Sequence, residues 1–162
     1  MLTLANVEVT FSEIPEEITL CLNIAGCPIK CPDCHSKYLW NEGTLPLYKT
    51  TVDTLIDKND GITCVALMGG DKDVKEVYAL AEHIKKVHSL KVAWYSGGEF
   101  RQDVPLQYFD YIKTGPYIKE FGGLDNPKTN QRFYKVSTIY QIEDVTEKFQ
   151  KIKIKQSNET SN

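Results

Sequence analysis

The stretch ITCVALMGGD, Ile62 to Asp71, decides how the rest of the chain is read. Its first six residues, Ile62 to Leu67, form a short apolar, β-rich run that suits a strand buried on both faces of a sheet. Two glycines and an aspartate stop the run. Asp73 to Val87 then carries Val74, Val77, Leu80, Ala81, Ile84 and Val87 on one helical face, and its acidic start complements a helix N-terminus. The unit is strand, glycine loop, helix. Working outward, three more strands end the same way: Ile18 to Ile24 (ITLCLNI) at AGC, Lys91 to Tyr95 (KVAWY) at SGG, and Tyr108 to Lys113 (YFDYIK) at TGP. Thr51 to Asn59 is a further helix candidate and Arg132 to Val136 a late strand. Strands alternating with helices predict an α/β fold built on a mostly parallel sheet or barrel. In such folds the loops at the carboxyl ends of the strands share one rim, and function gathers there.

The loop that leaves Ile24 is the chemically loaded one. It reads GCPIKCPDCHSKYLW, Gly26 to Trp40, and places Cys27, Cys31 and Cys34 in the spacing C-x3-C-x2-C. Buried structural cysteines occur singly, so three this close point to a metal. A structural zinc site wants four ligands. His35 is adjacent to Cys34 and poorly placed to converge with it, and Cys64 falls inside a strand, below the rim. The alternative is an iron–sulfur cluster. A 4Fe–4S cluster usually takes four thiolates, and with three the remaining iron is open to a substrate or cofactor. Pro28 and Pro32 stiffen the turns between the cysteines. By the rim argument, Gly69, Gly70, Asp71, Ser96 and Gly97 lie beside this loop. A plain strand-to-helix turn also explains Met68 to Asp71, with Asp71 or Asp73 as helix cap. Both readings hold together, because free N–H groups at a helix start also suit a carboxylate ligand.

Bulk properties set the frame. The chain has 162 residues, 41% hydrophobic and 25% charged, enough for one domain with a sizeable core. We expect a single domain over residues 1–155 and a polar, disordered tail over 156–162. The net charge of -3 argues against a nucleic-acid partner. The start, MLTLANVEVTF, lacks the basic and apolar regions of a signal peptide, and no apolar run is long enough to span a membrane. Five cysteines, an odd number, do not suggest a disulfide framework. A cytoplasmic location is the expectation. Cys21 alternates with Leu20 and Leu22 and reads as a buried strand residue. Trp40 and Trp94 read as core, and His83 and His88 as solvated.

C-x3-C-x2-C followed by GGD after the next strand resembles the radical S-adenosylmethionine (SAM) enzymes. Within them, GCPIKCPDCHSKYLW, AWYSGG and FDYIKTGPYIKEFGGLDNPKTNQRFYKV resemble the activating enzymes of anaerobic ribonucleotide reductase, over roughly Glu17 to Val136. Position 33 is Asp where that family often has Gly, and FSEIPEEITL lacks its glycine-proline-glycine segment. The resemblance implies a partial, open βα barrel of the radical SAM type. It implies a 4Fe–4S cluster on Cys27, Cys31 and Cys34, whose open iron chelates SAM. Asp33, Cys34 and His35 would lie at the cluster edge near the adenine, Gly69, Gly70 and Asp71 at the methionine part, and Ser96 and Gly97 at the carboxylate or ribose. The implied activity is glycyl-radical formation on the reductase large subunit, fed by an electron donor such as flavodoxin or ferredoxin. Asn130, Gln131 and Arg132 would serve the site or the partner surface, or Arg132 a surface salt bridge. Two rivals stand beside this: a radical SAM enzyme for another glycyl-radical protein or a small metabolite, and a non-catalytic zinc-binding module. No general base is required, since the cofactor carries the hard chemistry.

Overall fold

A computed structural model describes residues 1–150. The expected tail at 156–162 lies outside the described residues. Eight strands form one sheet: β1 (Thr3–Thr10), β2 (Thr19–Ile24), β3 (Leu45–Pro46), β4 (Cys64–Met68), β5 (Lys91–Tyr95), β6 (Tyr111–Thr114), β7 (Arg132–Val136) and β8 (Ile142–Asp144), in the order β3-β1-β2-β4-β5-β6-β7-β8. The central strands β2, β4, β5 and β6 run parallel. Their neighbours on both flanks pair antiparallel. The sheet is therefore mixed, and the expectation of mostly parallel strands holds only at its centre. The flanking strands arise from short reversals that alternation of strands with helices does not reveal.

Two α-helices, α1 (Lys49–Asp57) and α2 (Val74–His88), cover one face. Their buried residues Val52, Ile56, Val77, Leu80, Ala81 and Ile84 join Leu20, Leu22, Ile24, Val65, Leu67, Val92, Trp94 and Ile112 of the sheet in one core. Alternation along each strand sends Cys21, Cys64, Ala66, Ala93 and Tyr111 to the opposite face. There, Ile14, Val145 and Phe133 build a smaller core, with Leu124 and Phe149 packed on it. β2 is buried at all six positions because it lies between these two layers. Asp73 caps α2 by accepting the Glu76 N–H at 3.2 Å, and Ser89 ends the helix in a left-handed conformation. Among the described residues no helix is long and apolar enough to cross a membrane.

β1 was not foreseen. Most of its residues are at least partly exposed, and its polar side chains hide the apolar signal a strand usually gives. It is held by its backbone ladder to β2, from Thr10 opposite Thr19 to Leu4 opposite Ile24. The fourth core strand starts later than expected: Leu106–Tyr108 is a 3-10 turn, and β6 begins at Tyr111.

Candidate metal centre

The carboxyl ends of β2, β4, β5 and β6 bring four loops together. The cysteine loop starts at Ala25. Its return is stapled by the Gly26 N–H to the Asn41 carbonyl and the Cys27 N–H to the Leu39 carbonyl, both at 2.8 Å. Lys30 and Asp33 take positive φ, 49° and 60°. The left-handed turn at Asp33 explains why glycine suits that position in the resembling family, and aspartate tolerates the same conformation. Cys27, Cys31 and Cys34 are free thiols of intermediate exposure. The Ser36 N–H donates to the Cys34 sulfur at 3.3 Å, an outer hydrogen bond of the kind that orients a metal-ligating sulfur.

The neighbouring loops lock onto this one. Asp71 accepts a hydrogen bond from the Ser96 hydroxyl and another from the Gly97 N–H at 3.0 Å, which ties the MGGD loop to the SGG loop. A Cβ on Gly97 would meet Ile29 of the cysteine loop at 3.0 Å, so the two loops touch. Lys72 pairs with Glu42 at 2.8 Å and lies against Gly26. His35 packs edge-on against Tyr117, 5.1 Å between ring centres, and joins the loop to the segment after TGP. Gly69, Gly70, Asp71, Ser96, Gly97 and the three cysteines thus share one rim.

The glycines are needed for two reasons inside the fold. Gly69 and Gly70 have φ of 109° and 91°. A Cβ on Gly70 would also meet the Val77 side chain at 2.4 Å. The Gly69 carbonyl accepts the Trp94 indole N–H at 2.9 Å, so Trp94 is core and also supports the rim.

Below the rim, on the face away from the helices, lies a cavity of about 660 Å³. This falls in the range of small-molecule sites. His35 and Ser36 form its upper wall, and Asn23, Met68, Tyr95 and Lys113 come from β2, β4, β5 and β6. Gly69, Gly70, Asp71, Ser96, Gly97 and the three cysteines are not among its lining residues. Glu8, Glu13 and Asp125 contribute carboxylates. Burial, and secondarily the charge of Glu8, raise Glu13 above the usual carboxylate range.

Lys113 is the lining residue that the sequence concealed. Its ammonium donates to the carbonyls of Ser96 at 3.3 Å and Gly115 at 2.8 Å, which leaves one of its three N–H donors for the cavity. Burial pushes it down to about 8, while Asp71 and then Cys31, Cys27 and Cys34 pull the other way. Three cysteine sulfurs on one short loop beside the Lys113 ammonium are a donor set that fits an anionic iron–sulfur cluster. A lysine next to the end of a strand reads as solvated, and only its position before TGP, on a buried strand, carried a signal. The tail of the resembling segment is mostly structural. Asn130 donates to the Pro116 carbonyl at 3.0 Å, Gln131 to the Gly115 carbonyl at 3.4 Å, and Arg132 pairs with Asp144 at 3.5 Å. Gln131 also lines the cavity.

The two remaining cysteines are apart from this chemistry. Burial pushes the Cys21 thiol up to about 11 and the Cys64 thiol higher still. Cys64 opens β4, at the opposite end of the strand from the rim, and is no ligand candidate. The histidines need a correction: His83 and His88 are not solvated but both meet Asp53 between the helices. Among the described residues, these three are the group whose ligand atoms all lie within 4.8 Å of one another. The sulfurs of the cysteine loop are spread more widely.

No curated protein and no solved structure matches the chain. A protein-family comparison does match it, over residues 17–121, a span that runs from two residues before β2 past the end of β6 and holds the whole cysteine loop. The chain belongs to the 4Fe-4S single cluster domain family and is an iron–sulfur protein.

Proposed function

We propose that the protein is a radical SAM activase that cleaves S-adenosylmethionine at a 4Fe–4S cluster on Cys27, Cys31 and Cys34 and places a glycyl radical on an anaerobic ribonucleotide reductase. The observation that carries this reading is the meeting of the cysteine loop with three glycine loops over a ligand-sized cavity containing one ammonium, Lys113. Held by Cys27, Cys31 and Cys34, the cluster with SAM would supply the hard chemistry, one-electron reduction of a sulfonium and hydrogen-atom abstraction from the partner's glycine. The chain's own residues bind, orient and shield. The free N–H of Lys113 is placed for the carboxylate of the methionine part. The acids Glu8, Glu13 and Asp125 suit its cationic groups. Asp71 acts through Ser96 and Gly97, fixing the spacing of the two loops whose backbone, at Gly69, Gly70 and Gly97, would border the methionine part. Asp33 and His35 stand where the adenine would meet the cluster edge. In the open partial barrel that the resemblance implies, a protein substrate can deliver a backbone Cα and complete the shielding of the radical.

The test is electron paramagnetic resonance on anaerobically reconstituted protein mixed with the reductase, SAM and a reduced flavodoxin or ferredoxin. A glycyl radical on the reductase is expected, and Cys27→Ala should abolish both the cluster and SAM cleavage. Cleavage by Cys27→Ala at the wild-type rate would overturn the ligand assignment. Turnover of a small molecule without a reductase radical would overturn the substrate. A colourless protein holding one zinc after reconstitution would overturn the reading as a whole.

A further inference from the structure

The end of the sheet opposite the cysteine loop carries a second group of ligand-type side chains. α2 starts just past the carboxyl end of β4 and stops at His88, three residues before Lys91 opens β5. Its last turn therefore lies at the amino ends of the strands, away from the cysteine loop. There His83 and His88 reach across to Asp53 in the middle of α1. The Asp53 Oδ1 lies 2.7 Å from His83 Nε2 and 2.6 Å from His88 Nε2. The side chains are enclosed, with 16% of His83, 14% of His88 and 33% of Asp53 exposed.

We propose that Asp53, His83 and His88 form a second metal site, for a divalent ion of the zinc class, which pins α1 to α2. Two imidazole nitrogens aimed at one carboxylate oxygen converge on a point, as ligands of a single cation must. Around a tetrahedral zinc with bonds of about 2.0–2.1 Å, ligand atoms sit about 3.3 Å apart. The observed spacings, 2.6 and 2.7 Å for the two hydrogen bonds and no more than 4.8 Å for any pair, bracket that value. An ion can enter by small side-chain rotations while both helices stay in place. The imidazole protons move from Nε2 to Nδ1, so neutral histidines bind without a change in proton count. Two imidazoles and one carboxylate suit zinc, nickel or copper, whereas the thiols of the rim suit iron and sulfide. The partial exposure of Asp53 leaves the fourth position to water. A cleft of about 270 Å³ lined by His88, Asp57 and Asp60 runs beside the site and offers an acidic entry path.

This inference does not depend on the SAM reading. It is tested on anaerobic, cluster-loaded protein, whose rim thiols are occupied, by calorimetric titration with zinc chloride after chelator treatment. The visible absorbance of the cluster is followed to show that it stays intact. One equivalent should bind in the wild type, and binding should weaken at least about tenfold in His83→Gln and in His88→Gln. Zinc should raise the unfolding temperature of the wild type by several degrees and leave that of His88→Gln unmoved. Asp53→Asn, which keeps the shape and one acceptor oxygen, covers the case in which a histidine variant does not fold, and it too should lose affinity. No binding at micromolar zinc, or equal affinity in wild type and variants, would overturn the proposal and leave a metal-free His–Asp–His clamp between the helices.

Discussion

Lys113 shows how a single side chain acquires a role from its surroundings. It is the one lysine or arginine among the described residues lining the cavity, and two backbone carbonyls fix its direction. An anionic cluster nearby would raise its pKa and keep it charged, and its free donor would then make a charge-assisted hydrogen bond worth about 1.5–3 kcal/mol to a carboxylate. On the proposed SAM reading, Lys113→Met should weaken SAM binding about 10- to 100-fold at pH 7 while the iron content stays unchanged. Equilibrium dialysis with labelled SAM, beside an iron assay, measures both. Unaltered affinity would remove Lys113 from the site. Asp71 makes the contrasting case. Both its carboxylate oxygens are engaged by Ser96 and Gly97, so what it does in the fold is join the two loops.

At the scale of elements, the junction from β4 to α2 positions the rim. Gly70 takes a φ of 91°, and α2 approaches so closely that Val77 occupies the space of a Cβ. Gly70→Ala should cost about 1–3 kcal/mol for the backbone strain, with the Val77 clash added. The double variant Gly70→Ala/Val77→Ala should recover the clash but not the strain, corrected for the cavity left by Val77→Ala alone. Chemical denaturation of the four proteins of this cycle measures the coupling. Simple additivity would mean that Val77 and Gly70 do not compete for space. The same junction was the most legible part of the sequence. Its apolar run, its two glycines and the apolar face of α2 are local signals, and α2 lies within one residue of its expected bounds at each end, but Val87, expected on that face, is exposed in the last turn, beyond the reach of the sheet. α1 was placed two residues late, because its face is short and buries only Val52 and Ile56. β1, β3 and β8 left no local signal, since they are short or largely exposed and owe their existence to partner strands.

At the scale of the whole molecule, the four parallel strands are tied at the end opposite the rim by one carboxylate. Glu17, just before β2 and 5% exposed, accepts from Lys91 at the start of β5, from the Thr63 hydroxyl before β4, and from the Tyr111 hydroxyl at 3.0 Å at the start of β6. Burial pushes Glu17 up, but the hydrogen bonds from Lys91, Thr63 and Tyr111 together outweigh it and hold the carboxyl below its usual range. The unfolded chain thus takes up the proton first as pH falls. The knot's contribution is full above the ordinary glutamate range and is lost as pH drops through the folded pKa. Glu17→Gln should cost about 1–3 kcal/mol at pH 7 and show a shallower loss of stability below pH about 4.5 than the wild type. Parallel urea titrations from pH 7 to acid measure this, and equal slopes would refute the role given to Glu17.

The sequence by itself determined the iron–sulfur chemistry and the central strands, because both are written locally: three cysteines within eight residues, and apolar runs that each stop at a glycine. Only the tertiary structure decided which distant groups meet. Lys113 reaches the cavity because β6 lies beside β5, and His83 and His88 find Asp53 because α1 and α2 pack on the same face. Glu17 gathers three strands for the same kind of reason. Contacts between residues 25 to 94 positions apart depend on register and packing, which no local pattern of residues encodes.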